Sequence, residues 1–254
     1  MRVGLLVTCL VDLFRPSIGF SALALLERAG VEVVVPARQT CCGQPAYNSG
    51  DRQAARALAL KTLTEFEHFD YVVIPSGSCA GMVGKHYPQL FDDDSDTRQR
   101  ITALAARTFE LTDFLINVLH LTHLPGRWQG RLTYHDSCAG LRELGVKNQP
   151  RALLASADIE LIEMTGAEVC CGFGGTFSVK FGDIATRMAD NKCLQIAATG
   201  APCVALGDLG CMLHIEGRLR RRGDMTTQVL HIAEVLAAQD RAGVASGEGD
   251  KQSG

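Results

Sequence analysis

Eight of the ten cysteines in this chain of 254 residues form one pattern that occurs twice. Each copy is an adjacent cysteine pair followed by glycine, with a third cysteine 32 positions upstream and a fourth 37 or 40 positions downstream. The copies comprise Cys9, Cys41, Cys42 and Cys79, and then Cys138, Cys170, Cys171 and Cys211. Scattered structural cysteines would not repeat in this way, so the pattern indicates a duplicated site for a soft metal centre.

Gathered thiolates have three ordinary uses, which are an iron–sulphur cluster, a closed zinc site and a thiol–disulfide couple. The Cys-x-x-Cys spacing typical of redox couples is absent from the sequence. Zinc ligands are ordinarily about two to four residues apart, whereas adjacent side chains of an extended backbone point in opposite directions. Adjacent cysteines can reach different irons of one cluster, so we predict iron–sulphur centres, with zinc in one half as the alternative.

Composition and charge narrow the class of protein. The chain is 46% hydrophobic and 21% charged, which favours a packed core over disorder. Its net charge of −3 and lack of a basic stripe argue against a nucleic-acid partner. No apolar run is long enough for a transmembrane segment, and the one before Cys9 is too short for a signal peptide. We expect a cytoplasmic protein. Attachment to the inner membrane through partner proteins is the alternative that stays open.

Short apolar runs alternate with amphipathic stretches and predict the elements that position the cysteines. The longest helix is predicted over Thr97–His120 and the last over Thr227–Ala238. Strands are predicted at Arg2–Val7, Val31–Val35, Tyr71–Ile74, Arg131–Tyr134, Ile159–Met164 and Cys203–Leu206. This alternation predicts an α/β fold of two tandem, pseudo-symmetric Rossmann-like lobes, each a mostly parallel sheet flanked by helices.

The predicted lobes span residues 1–122 and 130–239, and residues 240–254 are predicted to form a flexible tail. Every cysteine of the repeat follows an apolar run, where a strand gives way to a helix. Such loops share the carboxyl edge of a parallel sheet, which is where ligands bind in open α/β folds. We therefore expect the four cysteines of each copy to converge, once in each lobe.

Long segments around the cysteines carry a resemblance to a known family. They are Gln39-Thr40-Cys41-Cys42-Gly43-Gln44-Pro45, Pro75-Ser76-Gly77-Ser78-Cys79-Ala80-Gly81-Met82, Tyr134-His135-Asp136-Ser137-Cys138, Cys170-Cys171-Gly172-Phe173-Gly174-Gly175-Thr176-Phe177 and Gly210-Cys211-Met212. From Val3 to Leu236 the chain resembles the CCG cysteine-rich domain family, which is found in heterodisulfide reductase and in the iron–sulphur subunit of glycolate oxidase. Within that family it is similar to the lactate utilisation protein A group.

This resemblance implies an iron–sulphur subunit that transfers electrons in a complex oxidising L-lactate to pyruvate. Such a protein is part of an oxidoreductase rather than an enzyme by itself. The implied partners are a ferredoxin-like iron–sulphur subunit and a third lactate utilisation subunit. Two alternatives stay open, which are a subunit that acts on a substrate directly at its cluster and a zinc-binding scaffold.

The chain departs from the heterodisulfide reductase pattern at two positions. In that pattern each half ends in Cys-x-x-Cys and has five cysteines, but here Ser76 and Asp208 replace the first cysteine of that pair. The four that remain in each half suffice for a [4Fe–4S] cluster, with one or two clusters per chain. The departure favours electron transfer over disulfide-cleaving chemistry.

Two polar residues near Cys138 are candidates for a catalytic or supporting role. His135 could donate to the centre, and Arg142 could hold a carboxylate through two parallel hydrogen bonds. The alternative is that His135 is a satisfied core histidine and Asp136 a helix cap. Cys193 and Cys203 lie outside the repeat and are predicted to be small buried hydrophobic residues.

Overall fold

The computed structural model describes residues 1–92, 94–123, 128 and 130–238, so the predicted tail lies outside the described residues. The strands in this part are β1 (Arg2–Leu5), β2 (Glu32–Val34), β3 (Tyr71–Ile74), β4 (Thr108–Glu110), β5 (Arg131–His135), β6 (Glu160–Leu161), β7 (Cys203–Leu206) and β8 (Gln228–His231). The α-helices are α1 (Cys9–Phe14), α2 (Pro16–Arg28), α3 (Gln44–Asn48), α4 (Arg52–Phe66), α5 (Gly77–Gly81), α6 (Ser95–Ala106), α7 (Leu111–Asp113), α8 (Cys138–Leu144), α9 (Asn148–Ser156), α10 (Thr176–Lys180), α11 (Gly182–Thr199), α12 (Leu209–Arg221) and α13 (Ile232–Ala237). Two π-helical turns, Met82–His86 and Phe114–Val118, and a 3₁₀ turn, Tyr87–Leu90, complete the described elements.

The strands form two parallel sheets with the same topology. The first has the order β2-β1-β3-β4 and the second β6-β5-β7-β8. In the first sheet Val3 pairs with Val33 and Tyr71, and in the second Leu132 pairs with Leu161 and Cys203. The predicted α/β fold of two tandem Rossmann-like lobes is confirmed. The repeat in the cysteine pattern is therefore matched by a repeat in the fold.

The last strand of each sheet lies where the sequence predicted a helix. The helix predicted over Thr97–His120 is wrong, because α6 ends at Ala106 and β4 follows at Thr108–Glu110. The helix predicted over Thr227–Ala238 likewise begins only after β8. The sequences of β4, Thr-Phe-Glu, and β8, Gln-Val-Leu-His, are not apolar runs, so pairing with β3 and β7 is what defines them.

Helix α11 illustrates how the helices cover the sheets. Its buried face consists of Ala185, Ala189, Lys192, Cys193 and Ile196, which recur at helical spacing. A lysine within this otherwise apolar stripe is unexpected. Among the residues described, no helix has the length and apolar composition needed to cross a membrane.

The two halves share part of their hydrophobic core. One cluster of buried side chains combines Val3 and Leu5 of the first sheet with Leu132 and Ala205 of the second. Helix α2 packs against α13, and the Arg15 side chain before α2 donates to Glu234 of α13 at 3.3 Å. Burial of apolar area common to both sheets couples the stability of the halves.

We predict that Leu236→Ala lowers the free energy of unfolding by about 2–5 kcal/mol, because it leaves a cavity in this shared core. Urea unfolding of the apoprotein followed by Trp128 fluorescence and by far-ultraviolet circular dichroism should give one coincident transition. Leu194→Ala, at a side chain 55% exposed, is the control and should change little. Two separate transitions would contradict a shared core.

Candidate metal centres

The four cysteines of the first half meet at the carboxyl edge of its sheet. Cys9 is the first residue of α1, Cys79 is the third of α5, and the adjacent pair lies in the loop between β2 and α3. The sulphur atoms of Cys42 and Cys79 are 3.2 Å apart. Hydrogen bonds from Cys42 and Cys9 hold the pKa of Cys41 far below its usual range. The four thiols therefore form one connected group.

The second half repeats this arrangement element by element. Cys138 is the first residue of α8, Cys211 is the third of α12, and the adjacent pair lies in the loop between β6 and α10. Hydrogen bonds from Cys138 and Cys171 lower the pKa of Cys170, and hydrogen bonds with Cys170 and Cys211 raise that of Cys171. All ten cysteines of the chain are free of disulfides.

The glycine after each cysteine pair is required by the backbone. Gly43 and Gly172 have φ angles of +85° and +91°, a region that residues with a Cβ rarely adopt. Each glycine N–H donates to the sulphur of the first cysteine of its pair, Cys41 or Cys170, at 3.4 Å. A Cβ at Gly172 would lie 2.8 Å from the Ala185 carbonyl oxygen on α11. Glycine thus lets the loop turn its amide toward sulphur while touching the helix.

Ser76 and Asp208, which replace the fifth thiols of the heterodisulfide reductase pattern, join the two halves. The Ser76 hydroxyl donates to the Asp208 carboxylate at 3.1 Å, and the same oxygen accepts from the Ser78 amide at 2.9 Å. The two side chains also cap the helices that carry Cys79 and Cys211. Each of these cysteines is three residues, about one helical turn, from the contact. The two centres therefore flank a common hydrogen-bonded junction.

His135 lies against the second group of cysteines and is fully buried. Its Nδ1 is 3.1 Å from the Ala167 carbonyl oxygen, which can only accept, so Nδ1 carries the proton. Burial lowers the pKa of His135 to about 3, and the ring is neutral. Its Nε2 has no hydrogen-bond partner among the described residues.

This orientation of His135 fits a metal centre. One ring nitrogen and the sulphur atoms of Cys171 and Cys211 lie within 4.8 Å of one another. A carbonyl that holds one nitrogen and leaves the other unprotonated is the usual second-shell arrangement of a metal-binding histidine. The free lone pair and the gathered thiols are thus a donor set suited to a metal or an iron–sulphur cluster.

Arg142, the other candidate, lies on α8 about one helical turn after Cys138. Its side chain is exposed and makes no hydrogen bond or ion pair with any residue described. Arg151, which the sequence analysis did not select, is an arginine that binds a carboxylate of the protein itself. It holds Asp136 through two hydrogen bonds of 2.9 Å each. Asp136 is therefore an ion-pair partner rather than a helix cap, and Ser137 caps α8 instead.

Lys192 is the second residue that the sequence analysis missed. It is 0% exposed, and its ammonium group donates to the Gly166 carbonyl oxygen at 2.6 Å. Burial lowers its pKa to about 8, and the neighbouring Cys171 and Asp136 partly offset that shift. Its position in the sequence could have indicated its burial, because Lys192 follows Ala185 and Ala189 at helical spacing on the buried stripe of α11.

Cys193 and Cys203 are buried, as predicted for small hydrophobic residues. Burial raises the pKa of Cys203 to about 12, so its thiol stays protonated and unreactive. They provide natural controls for substitutions in the eight repeated cysteines.

Comparison with known proteins agrees with the pattern of cysteines. A profile described as the CCG cysteine-rich domain matches residues 3–84 and 132–216. "Lactate utilization protein A 2" of Bacillus cereus (strain Q1) is 44% identical over 238 residues, which cover 93% of this chain and 98% of that protein. "Lactate utilization protein A" of Geobacillus sp. (strain WCH70) is 47% identical over 237 residues, covering 93% and 99%.

Likeness to solved structures is weak. Glutamate racemase RacE1 of Bacillus anthracis is 10% identical and gives a TM-score of 0.35, with coverage of 93% of this chain and 77% of the racemase. A score this low supports no inference about the fold or activity of this chain.

We predict that Gly172→Ala destabilises the protein by roughly 1–3 kcal/mol more than Gly200→Ala does. Both glycines have positive φ, but a Cβ at Gly200 would meet no atom within 4 Å. The difference between the variants therefore measures the contact with α11 rather than backbone strain. Equal losses in chemical denaturation would show that the close approach has no energetic importance.

Proposed function

Because the chain belongs to the CCG cysteine-rich domain family, we propose that each of its halves holds one [4Fe–4S] cluster. The ligands are Cys9, Cys41, Cys42 and Cys79 in the first half and Cys138, Cys170, Cys171 and Cys211 in the second. The observation that carries the proposal is the convergence of four thiols in each half, with a glycine amide donating to sulphur in both. Amide donors of this kind stabilise the negative charge of a thiolate-bound cluster.

The details of the two groups favour a cluster over a single zinc ion. Both members of each adjacent pair belong to the connected group of thiols, which suits a cluster whose irons are spread over several ångströms. Zinc in the second half is the alternative, and the neutral His135 beside Cys171 and Cys211 is the observation that supports it. Metal content separates these cases directly.

We further propose that the protein is an electron-transfer subunit used in the oxidation of L-lactate to pyruvate. Relatives named lactate utilisation proteins match 93% of the chain at 44–47% identity and nearly their own full length. A cluster supplies one-electron transfer, while four cysteines for four irons leave no open position for a substrate. Cys9, Cys41, Cys138 and Cys170 are only partly buried, so both centres approach the surface where a partner can dock.

The proposed partners are a ferredoxin-like iron–sulphur subunit and a third lactate utilisation subunit, and the proposed compartment is the cytoplasm. Reducing conditions there keep thiols available for iron. The competing proposal is that the protein reduces a substrate at its own cluster. Turnover of thiol or 2-oxoacid substrates by the isolated protein would favour that competitor.

We predict that anaerobically prepared protein contains about four irons and four sulphides per filled site and has a broad visible absorption. Cys171→Ser should remove the iron of the second half only, and Cys42→Ser that of the first. The matched control is Cys203→Ala, which removes a buried thiol outside the repeat and should retain the full metal content. Zinc without iron in the wild-type protein would contradict the proposal.

We predict that deletion of the gene abolishes growth of the host on L-lactate but not on pyruvate. Wild-type protein should restore growth, and the Cys42→Ser and Cys171→Ser variants should not, because each interrupts the electron path. Unimpaired growth of the deletion strain on lactate would rule out this physiological role and leave the assignment of the clusters untouched.

A further inference from the structure

The repeat of the fold allows residues of the two centres to be compared in pairs. Gly43 lies against Ala55 on α4, and Gly172 lies against Ala185 on α11. Two helical turns further along each helix, seven residues in both cases, the equivalent positions are Thr62 and Lys192. The helix beside the first centre therefore has a neutral residue, Thr62, at the position where the helix beside the second centre has Lys192.

Lys192 has no carboxylate partner. Within the described part of the chain it forms no ion pair, and its hydrogen bond is to the Gly166 carbonyl oxygen. Asp136, the carboxylate whose charge acts on it, is already held by Arg151. A buried ammonium is costly unless negative charge balances it. Ala167, the residue after Gly166, has its carbonyl oxygen 3.1 Å from His135, and a ring nitrogen of His135 lies within 4.8 Å of the Cys171 and Cys211 sulphur atoms. The remaining negative charge near Lys192 is therefore that of the second cysteine group when it binds a cluster.

The buried side chains at the equivalent place beside the first centre are neutral. The Thr62 hydroxyl oxygen accepts a hydrogen bond of 3.1 Å from the Tyr87 hydroxyl. That hydroxyl also lies 2.8 Å from the Cys42 carbonyl oxygen. Both side chains are buried, and none of the lysines and arginines described in the first half is buried as Lys192 is.

We infer that Lys192 is the fixed counter-charge of the second centre and raises the reduction potential of the cluster bound there. The inference rests on the proposed function, because it requires a cluster on the second group of cysteines. Reduction adds one electron and thus one negative charge, which a nearby cation stabilises more strongly than it stabilises the oxidised form. Burial of Lys192 strengthens this effect, because charges interact more strongly where water is excluded. Lys192 acts on the cluster through its charge and does not bind iron.

The test is an anaerobic redox titration with dithionite, followed by electron paramagnetic resonance, on variants that retain one centre. In the Cys42→Ser background only the second cluster remains, and Lys192→Met should lower its equilibrium constant for reduction about tenfold or more. A tenfold change in a one-electron couple is a shift of about 59 mV. In the Cys171→Ser background, where only the first cluster remains, Lys192→Met should have no effect.

Two further variants separate charge from structural support. Lys192→Gln removes the charge but keeps an N–H donor for the Gly166 carbonyl, and it should shift the potential as Lys192→Met does. Lys61→Met removes an exposed lysine from α4 and should leave both potentials unchanged.

Three results would overturn this inference and leave the proposed function intact. These are an unshifted potential in both Lys192 variants, a shift in Lys192→Met that Lys192→Gln abolishes, and loss of the cluster from both variants. Absence of a cluster from Cys42→Ser would overturn it together with the proposed cluster of the second half. Absence of iron from the wild-type protein would instead overturn the proposed function itself.

Discussion

The architecture depends on bringing four sulphur atoms together at the carboxyl edge of a parallel sheet. Three separate loops must reach one point, and the thiolates they carry repel each other unless donors or metal balance them. The parallel sheet meets the first requirement, because its strands all end at the same edge. The glycine amides after Cys42 and Cys171 contribute to the second by donating to sulphur. Turning these amides toward sulphur requires the positive φ of Gly43 and Gly172.

Ser76 and Asp208, which stand where the heterodisulfide reductase pattern has two further cysteines, form the junction between the halves. Ser76 and Asp208 hydrogen-bond to each other across the interface and cap the helices that present Cys79 and Cys211. The positions that carry a fifth ligand in the heterodisulfide reductase pattern serve here to hold one centre against the other.

The two halves share a fold but differ in electrostatics. Around the second centre lie a buried histidine, a buried lysine and the ion pair between Asp136 and Arg151. The first centre has Thr62 and Tyr87 behind it, which are neutral. The two halves therefore share the arrangement of their four cysteines but differ in the polar residues around it. Surrounding charge and hydrogen bonding are the principal means by which a protein adjusts a cluster whose ligands are unchanged.

The sequence by itself determined the repeated cysteine pattern, the α/β class and the approximate places of six of the eight described strands, because the cysteine spacing and the apolar runs are local signals. It failed at β4 and β8, in which polar residues interrupt the apolar run and which are defined by pairing with their neighbours. Only the tertiary structure decided which polar residues serve the centres. Arg142, four residues after Cys138, has an exposed side chain, whereas Lys192 is buried on α11, two turns beyond the glycine contact, and donates to Gly166. Proximity across a fold depends on packing between elements, and spacing along the chain does not encode it.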